Sequence, residues 1–422
     1  MKKIIFILTL LSSLNFQSLQ GQQWRIYNSG NTGMPLDLVG PFALERDSNC
    51  TIAWIPTNGL VRFNFQRNSF IRFDSNANYP LASPYSMVVN GHDKWICHAK
   101  GLTKFDNFTW TTYTPQNSGI ASNLVLDITF DSEGAAWIAC VPGLSKFYNG
   151  IWKTYNTSNS PLINNRLETI SSFGNEVWIG TYSSGLARII KTPTDTLWKI
   201  YTSTNSPLTY NWTDDILIKY PIVYIGLSGG GLNKFNLLDS SWSNYLNFAF
   251  LQGIALDTSG NIWMGSPGGG LLKFTKDTTL VRFDPTNSPM PSYSANSVRV
   301  DIHQNVWVGT DNGLVIYNEN GIVGIDNENN VTIISEDFKL YQNYPNPFNS
   351  QTKLKFELKK RESIRLFLSD VTGKIIKEIL NETRNPGIYE YNLEMSEFPS
   401  GVYFYSLKSS NRDETKKLIL LK

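Results

Sequence analysis

Short apolar runs that alternate in period two, broken every 5–8 positions by Gly, Asn, Asp, Ser or Pro, fill the 422-residue chain from about residue 24 onward. The runs Leu124 to Phe130 and Ile254 to Leu256 are typical, each followed by a polar turn, Asp131-Ser132-Glu133-Gly134 or Asp257-Thr258-Ser259-Gly260. Runs of this length and period predict β-strands, and no copy holds the longer 3.6-residue pattern of an amphipathic helix.

Two aromatic units repeat within this pattern. The first is an aromatic residue, then Gly-Leu, then a large apolar residue four positions after the Gly. It occurs as Trp54/Gly59/Phe63, Trp95/Gly101/Phe105, Trp137/Gly143/Phe147, Trp178/Gly185/Ile189, Tyr224/Gly231/Phe235, Trp263/Gly270/Phe274 and Trp307/Gly313/Tyr317, with a period of 39 to 46 residues. The second unit is a pair three residues apart: Trp24/Tyr27, Phe70/Phe73, Trp110/Tyr113, Trp152/Tyr155, Trp198/Tyr201, Trp242/Tyr245 and Leu280/Phe283. Each period accommodates four short strands, which is one blade of a β-propeller, and seven periods predict a seven-bladed ring. The first pair, Trp24/Tyr27, precedes any Gly-Leu unit, and the last Gly-Leu unit has no pair after it. The N-terminal strand is therefore expected to complete the seventh blade, closing the ring without open edges. Eleven of the 12 tryptophans occupy repeat slots and are expected to pack between blades; Trp212 does not.

Composition changes near residue 325. Residues 326–330 are polar, no Trp follows Trp307, and 24 of the 70 residues from 353 to 422 are charged. Strand-like runs continue at 353–358, 364–369, 375–380, 388–393, 402–407 and 417–421, which suits a small Ig-like β-sandwich. The expected organisation is a signal peptide over 1–21, the propeller over 22–320, a linker over 321–337 and the sandwich over 338–422.

Charge and targeting narrow the function classes. Lys2-Lys3 and the apolar Ile4 to Leu11 read as a secretory signal, cleaved near residues 18–22, and the apolar run is too short to span a bilayer. A net charge of +2, from 37 basic and 35 acidic residues, gives no reason to expect nucleic acid as a partner. Cys50, Cys97 and Cys140 read as buried thiols, with one bridge between neighbouring blades as the alternative. No metal-ligand spacing links His92, His98 and His303, so neither metal nor cofactor is expected.

The repeats resemble the two-component-regulator propeller family, whose blades read Asp-x-x-Gly-x-x-Trp-Ile-Gly-Thr…Gly-Leu. The matching residues are Asp257, Gly260, Trp263, Gly265, Gly270 and Leu271; Trp307, Gly309, Thr310, Gly313 and Leu314; and Trp178, Gly180, Thr181, Gly185 and Leu186. Blades one to three depart from it, with Pro56, Cys97 and Ala139 where the Gly after Trp-Ile would stand. Sensors of that family carry a membrane helix and a kinase, and this chain shows neither pattern.

The tail resembles the C-terminal sorting domain of type IX secretion. The resemblance is carried by Tyr344, Pro345, Asn346, Pro347 and Phe348, by Gly373, Gly387, Gly401 and Tyr403, and by Lys416 and Lys417. It implies dealings with the Sec machinery and an outer-membrane type IX translocon, and a final location at the outer surface or in the medium.

Propellers bind ligands where the loops between blades meet the hairpins between second and third strands. Trp212 lies in such a loop beside Tyr210 and Asp214; His98, Lys100, Arg166, Tyr182 and Asp311 fall at the same level, as do Asn58 and Asn312. An exposed ring beside amides and carboxylates suits a glycan or a protein ligand. The leading expectation is a non-catalytic, monomeric binding propeller. The rivals are a lyase or glycoside-active enzyme, since streptogramin lyases share a similar blade motif, and a scaffold without small ligand. Ser228-Gly229-Gly230-Gly231 and Gly268-Gly269-Gly270 open no helix, so they read as hairpins rather than phosphate cradles.

Overall fold

A computed structural model describes residues 23–422 except 33, 35–36, 48–49, 58, 74–83, 108, 193–195, 248, 277–278, 324–331, 334–337, 359–360 and 410–412. The expected signal segment and its cleavage site, Asn58 and the polar run 326–330 lie outside the described residues.

The described strands form nine antiparallel-based sheets, seven of them blades. Blades one to six span residues 43–73, 84–113, 124–155, 167–201, 213–245 and 252–283, each with its four strands in sequence order. Blade seven takes three strands from 295–317 and its fourth from Trp24–Tyr27, with Trp24 opposite Tyr317 and Tyr27 opposite Leu314. The ring is thus closed by the start of the folded chain, as the phase of the two aromatic units predicts.

The repeat slots interlock between neighbouring sheets. The second-strand Trp178 and fourth-strand Tyr201 of blade four stack at 5.6 Å, and both meet Phe235 of blade five, at 5.3 and 5.5 Å. Tyr201 also meets Trp242, the first residue of blade five's fourth-strand pair. The same set recurs where Trp54 and Phe73 meet Phe105, and where Trp263 and Phe283 meet Tyr317 and Trp24. Burial divides the tryptophans, however. Trp54, Trp95, Trp137, Trp178, Trp263 and Trp307 are at most 5% exposed. Trp24, Trp110, Trp152, Trp198 and Trp242 are only half-buried, because the fourth strand is the outer edge of its sheet and one face of each ring meets solvent.

Two features of the blade motif have direct physical causes. Its Asp sits six residues before the Trp and clasps the turn between first and second strands. Asp131 accepts from the Glu133 and Ala135 amides and from Trp137 Nε1 at 2.7 Å; Asp301 accepts from the His303 and Asn305 amides and from Trp307 Nε1 at 3.0 Å. Burial alone would raise the Asp131 carboxyl, but Lys191 and the indole outweigh it and hold the group below the usual carboxylate range. The Gly of Gly-Leu is required because Gly185 has φ +87° and an added Cβ would lie 2.2 Å from the Tyr201 carbonyl oxygen.

The first strands line the channel and lace it together. Asp127 of blade three accepts from Ser86 Oγ of blade two at 2.6 Å, and from Thr169 Oγ1 and the Ile170 amide of blade four. Asp215 of blade five accepts from the Ile254 amide of blade six at 2.6 Å. The crowded surroundings desolvate both carboxyls enough to push them up, against the hydrogen bonds they accept. Cys97 and Cys140 are buried free thiols.

The segment expected to link the domains is partly held by the ring. Ile322 packs against the core between blades seven and one, and Thr332–Ile333 adds as a parallel strand beside Ser69 and Phe70 at the outer edge of blade one. The tail is a sandwich of a three-stranded sheet (Phe338–Leu340, Gln351–Leu358, Gly387–Glu394) on a four-stranded one (Ile375–Arg384, Glu362–Ser369, Gly401–Ser409, Asp413–Leu420). Its core includes Phe356, Leu366, Tyr405 and Leu418.

Candidate functional site

The site grows from β-bulges in the first strands. In blade four the register slips between Leu167 and Thr169, and in blade five between Thr213 and Asp215. Each slip leaves one extra residue, Glu168 and Asp214, at the rim of the channel. The same slip recurs in blades two, three, six and seven, so it belongs to the blade as such; here it re-aims Glu168 and Asp214.

Around this pair lies a compact aromatic and charged corner. The Arg166 guanidinium lies 3.9 Å from the centroid of the Tyr182 ring, and its Nε donates to Glu168 Oε1 at 2.6 Å. Tyr182, from the second hairpin of blade four, packs against Trp212 of the loop entering blade five, at 4.3 Å and 52°. Trp212 Nε1 is buried and makes no hydrogen bond of normal geometry. Burial drives the Asp214 carboxyl up to about 7; Ser228 opposes the rise, the Glu168 and Asp215 charges add to it, and the nearby Trp212 indole opposes it least of these.

The sign of this shift is testable. A carboxyl whose folded pKa exceeds its unfolded value adds stability that is full below the unfolded pKa and lost as pH rises through the folded one. Asp214, lifted from 3.8 to about 7, should therefore make the wild type lose stability between about pH 4 and pH 7 and level off above that. His98, lowered from 6.5 to about 4, works against this by destabilising the fold on acidification. The difference between wild type and Asp214→Asn isolates the first effect. Thermal melts across this range should show the wild type losing several degrees relative to the variant as pH rises; parallel curves would refute the assignment.

The other expected site residues divide. Tyr210 is 49% exposed and flanks the glycine hairpin of blade five, where an added Gly230 Cβ would lie 2.5 Å from Tyr210 Cβ. His98 is not a surface group: it is 2% exposed. Its Nδ1 accepts from the Lys100 amide at 3.0 Å, which leaves Nε2 to donate to Thr103 Oγ1 at 2.8 Å. Burial, reinforced by the Lys100 charge, pushes its pKa down to about 4. The hairpin His98-Ala99-Lys100-Gly101 turns the ring inward to satisfy its own backbone, which sequence position alone does not reveal. Lys100 and Asp311 are exposed, and Asp311 accepts from Asn296 of the same blade. These two belong to blades two and seven, away from the corner of blades four and five.

Glu168 and Phe250 were not among the expected site residues. Phe250 is 54% exposed and bridges to Ser228. The signal for both is alignment of the inter-blade loops: Glu168 stands in blade four where Asp214 stands in blade five, and Phe250 stands in blade six where Trp212 stands in blade five.

In the tail, the expected signature has its own geometry. Asn343 donates to Pro345 O and Thr352 Oγ1, Asn346 Oδ1 accepts from the Ile419 amide, and Phe348 is buried while exchanging backbone hydrogen bonds with Ile419 and Leu421. Tyr344 is 82% exposed. Pro345 and Pro347 form the bend between them, Gly373 takes φ +84° and Gly387 +156°, and Gly401 opens the strand carrying Tyr403. Tyr403 donates to Pro399 O, Lys416 pairs with Glu414, and the Lys417 carbonyl accepts from Asn346. The motif thus fastens the start of the sandwich to its last strand.

Comparison with known families matches residues 342–421 to a model described as a secretion system C-terminal sorting domain. The tail is a sorting domain of type IX secretion. The sorting domain places this protein among exported proteins, secreted or held at the outer cell surface. The remainder has propeller neighbours among solved structures. An extracellular domain assigned to the hybrid two component system BT3049 of B. thetaiotaomicron is 16% identical, with TM-score 0.59, over 94% of this chain and 57% of that one. PorZ, a surface component of the type IX secretion system of Porphyromonas gingivalis, is 14% identical with TM-score 0.50, over 92% of this chain and 61% of that one. A streptogramin B lyase is 15% identical with TM-score 0.55, over 70% of this chain and 97% of that one. Identities this low show a shared fold alone, and this chain spans little more than half the length of the first two. No curated protein sequence matches.

Among the described residues no helix is long and apolar enough to cross a membrane, and no group of three His, Cys, Asp or Glu is placed to hold a metal ion.

Proposed function

We propose that this exported propeller is a non-catalytic binding protein whose ligand, a glycan, peptide or surface component, docks on the rim of blades four and five. The observation that carries the reading is the convergence of Arg166, Tyr182, Trp212 and Asp214, from two blades, at one point of the channel mouth. Trp212 fills neither aromatic slot of the blade repeat; it stands half-buried against Tyr182 of the neighbouring blade. Aromatic and arginine side chains in such settings dominate binding energy in other interfaces. The inward turn of His98 removes the histidine best placed for acid–base chemistry on this face and favours binding over a lyase reaction.

Screening the full-length mature protein on glycan and peptide arrays, beside Trp212→Ala with its fold verified by melting, tests the reading. The variant should lose about 10- to 100-fold in affinity for whatever the wild type captures. Unchanged affinity would move the site elsewhere.

A further inference from the structure

The corner just described continues into blade six. In blades three to six the hairpin glycine donates its amide to a carbonyl in the loop entering the next blade: Gly143 to Asn165, Gly185 to Asn211, Gly231 to Ala249, and Gly270 to Tyr293. These bonds place the following residues, Arg166, Trp212, Phe250 and Ser294, in one equivalent slot of four successive blades. The slot therefore holds a guanidinium, two aromatic rings and then a hydroxyl, so its flat, stackable groups end at blade six.

Between Tyr210 and Phe250 the surface is low. The blade-five hairpin carries Gly229 and Gly230 in place of side chains. A Cβ added to Gly229 would stand 3.7 Å from the Phe250 ring, and one added to Gly230 would strike Tyr210. The glycines thus form a floor flanked by two rings, Tyr210 and Phe250, which are 49% and 54% exposed. Asp214 lies at the channel side of this row, and Gln252, exposed at the start of blade six's first strand, extends the same side.

We infer that the rim of blades four to six is a multi-ring platform for a linear, uncharged oligosaccharide, laid across the Gly229-Gly230 floor with successive residues facing Trp212 and Phe250; this deepens, and rests on, the binding role proposed above. Open rings offer faces to C–H-rich sugar surfaces without the enclosed pockets that apolar peptide side chains need. The polar groups beside them, Asp214, Gln252 and the Tyr210 hydroxyl, suit hydroxyl groups. The carboxyl groups of Glu168 and Asp214 on this rim disfavour an anionic polymer, and Glu168 offsets the Arg166 charge.

The test measures dissociation constants of the full-length mature protein for α-1,4- and β-1,4-linked gluco-oligosaccharides and β-1,4-linked manno-oligosaccharides over a series of lengths from the disaccharide upward. Affinity should rise with chain length and then level off. Phe250→Ala should leave the shortest binder unchanged, weaken the longest by about tenfold and bring the plateau to shorter chains. Trp212→Ala should weaken every length. Three results overturn the inference: no member of the series binds, affinity ignores length, or Phe250→Ala weakens all lengths equally. Capture of a peptide instead, still dependent on Trp212, overturns the oligosaccharide and leaves the binding role standing. A ligand of either kind that ignores Trp212 removes both.

Discussion

Removing residues 22–30 should abolish cooperative folding of the propeller. That segment supplies the whole fourth strand of blade seven, paired from Trp24 to Tyr27 against Tyr317 to Leu314. It also seals two interfaces at once. Trp24 lies 4.2 Å from Tyr317 and 5.5 Å from Phe283 between blades six and seven, while Tyr27 lies 4.8 Å from Phe63 and 5.9 Å from Phe70 between blades seven and one. Losing the buried Tyr27 ring costs about 3 kcal/mol or more and the half-buried Trp24 about 1–2 kcal/mol, and a bare strand edge is exposed as well. Together these losses approach the roughly 5–15 kcal/mol that holds a typical domain folded. Calorimetry of the truncated chain should show the propeller transition lost or lowered by more than about 15 °C, and a synthetic peptide covering 22–32 should restore part of it. A truncated chain that melts like the wild type would show that the ring does not depend on this closure.

The second large effect separates the two classes of tryptophan. Trp307→Ala should cost about 3–5 kcal/mol, whereas Trp242→Ala should cost about 1–2 kcal/mol. Trp307 is fully buried, donates to Asp301 at 3.0 Å and packs on Phe65 at 5.0 Å and Phe63 at 5.8 Å. Its removal opens a cavity and takes a donor from the Asp301 clasp. Trp242 stands at a sheet edge with part of its ring in water, so less area is lost and solvent can fill the space. Urea unfolding of both variants reads the difference directly. Equal losses would contradict the division of burial between second and fourth strands.

The blade count, the closing strand and the sorting tail were legible because each rests on local, repeated chemistry. A glycine is needed wherever the third strand begins under the Tyr201-type carbonyl, so it recurs at a fixed offset in all seven blades, and an Asp six residues before Trp clasps the turn in blades three, six and seven. The phase of Trp24/Tyr27 against Trp307/Gly313 then leaves the N-terminal strand one place to go. The tail was legible for the same reason, since Asn343, Asn346 and Phe348 make contacts dictated by a short motif.

The candidate site was only half legible. Trp212 stood out because it breaks the repeat, but its partners come from a neighbouring blade, and which loop residues face each other depends on inter-blade register. His98 showed the converse: a residue at the right level of the sequence turned inward to bond the Lys100 amide and Thr103. Phe250 escaped notice because the loop entering blade six lacks the Ser-Pro turn that anchors the comparison in blades four, five and seven.

By itself, then, the sequence determined a seven-bladed ring closed by its own beginning and followed by an export domain, because periodic aromatics and turn glycines act on their nearest neighbours in the chain. Tertiary structure alone decided which side chains share the rim, which tryptophans are fully dry and how far Asp214 is desolvated. Those properties arise between blades, where residues some 40 positions apart meet at distances that no local pattern encodes.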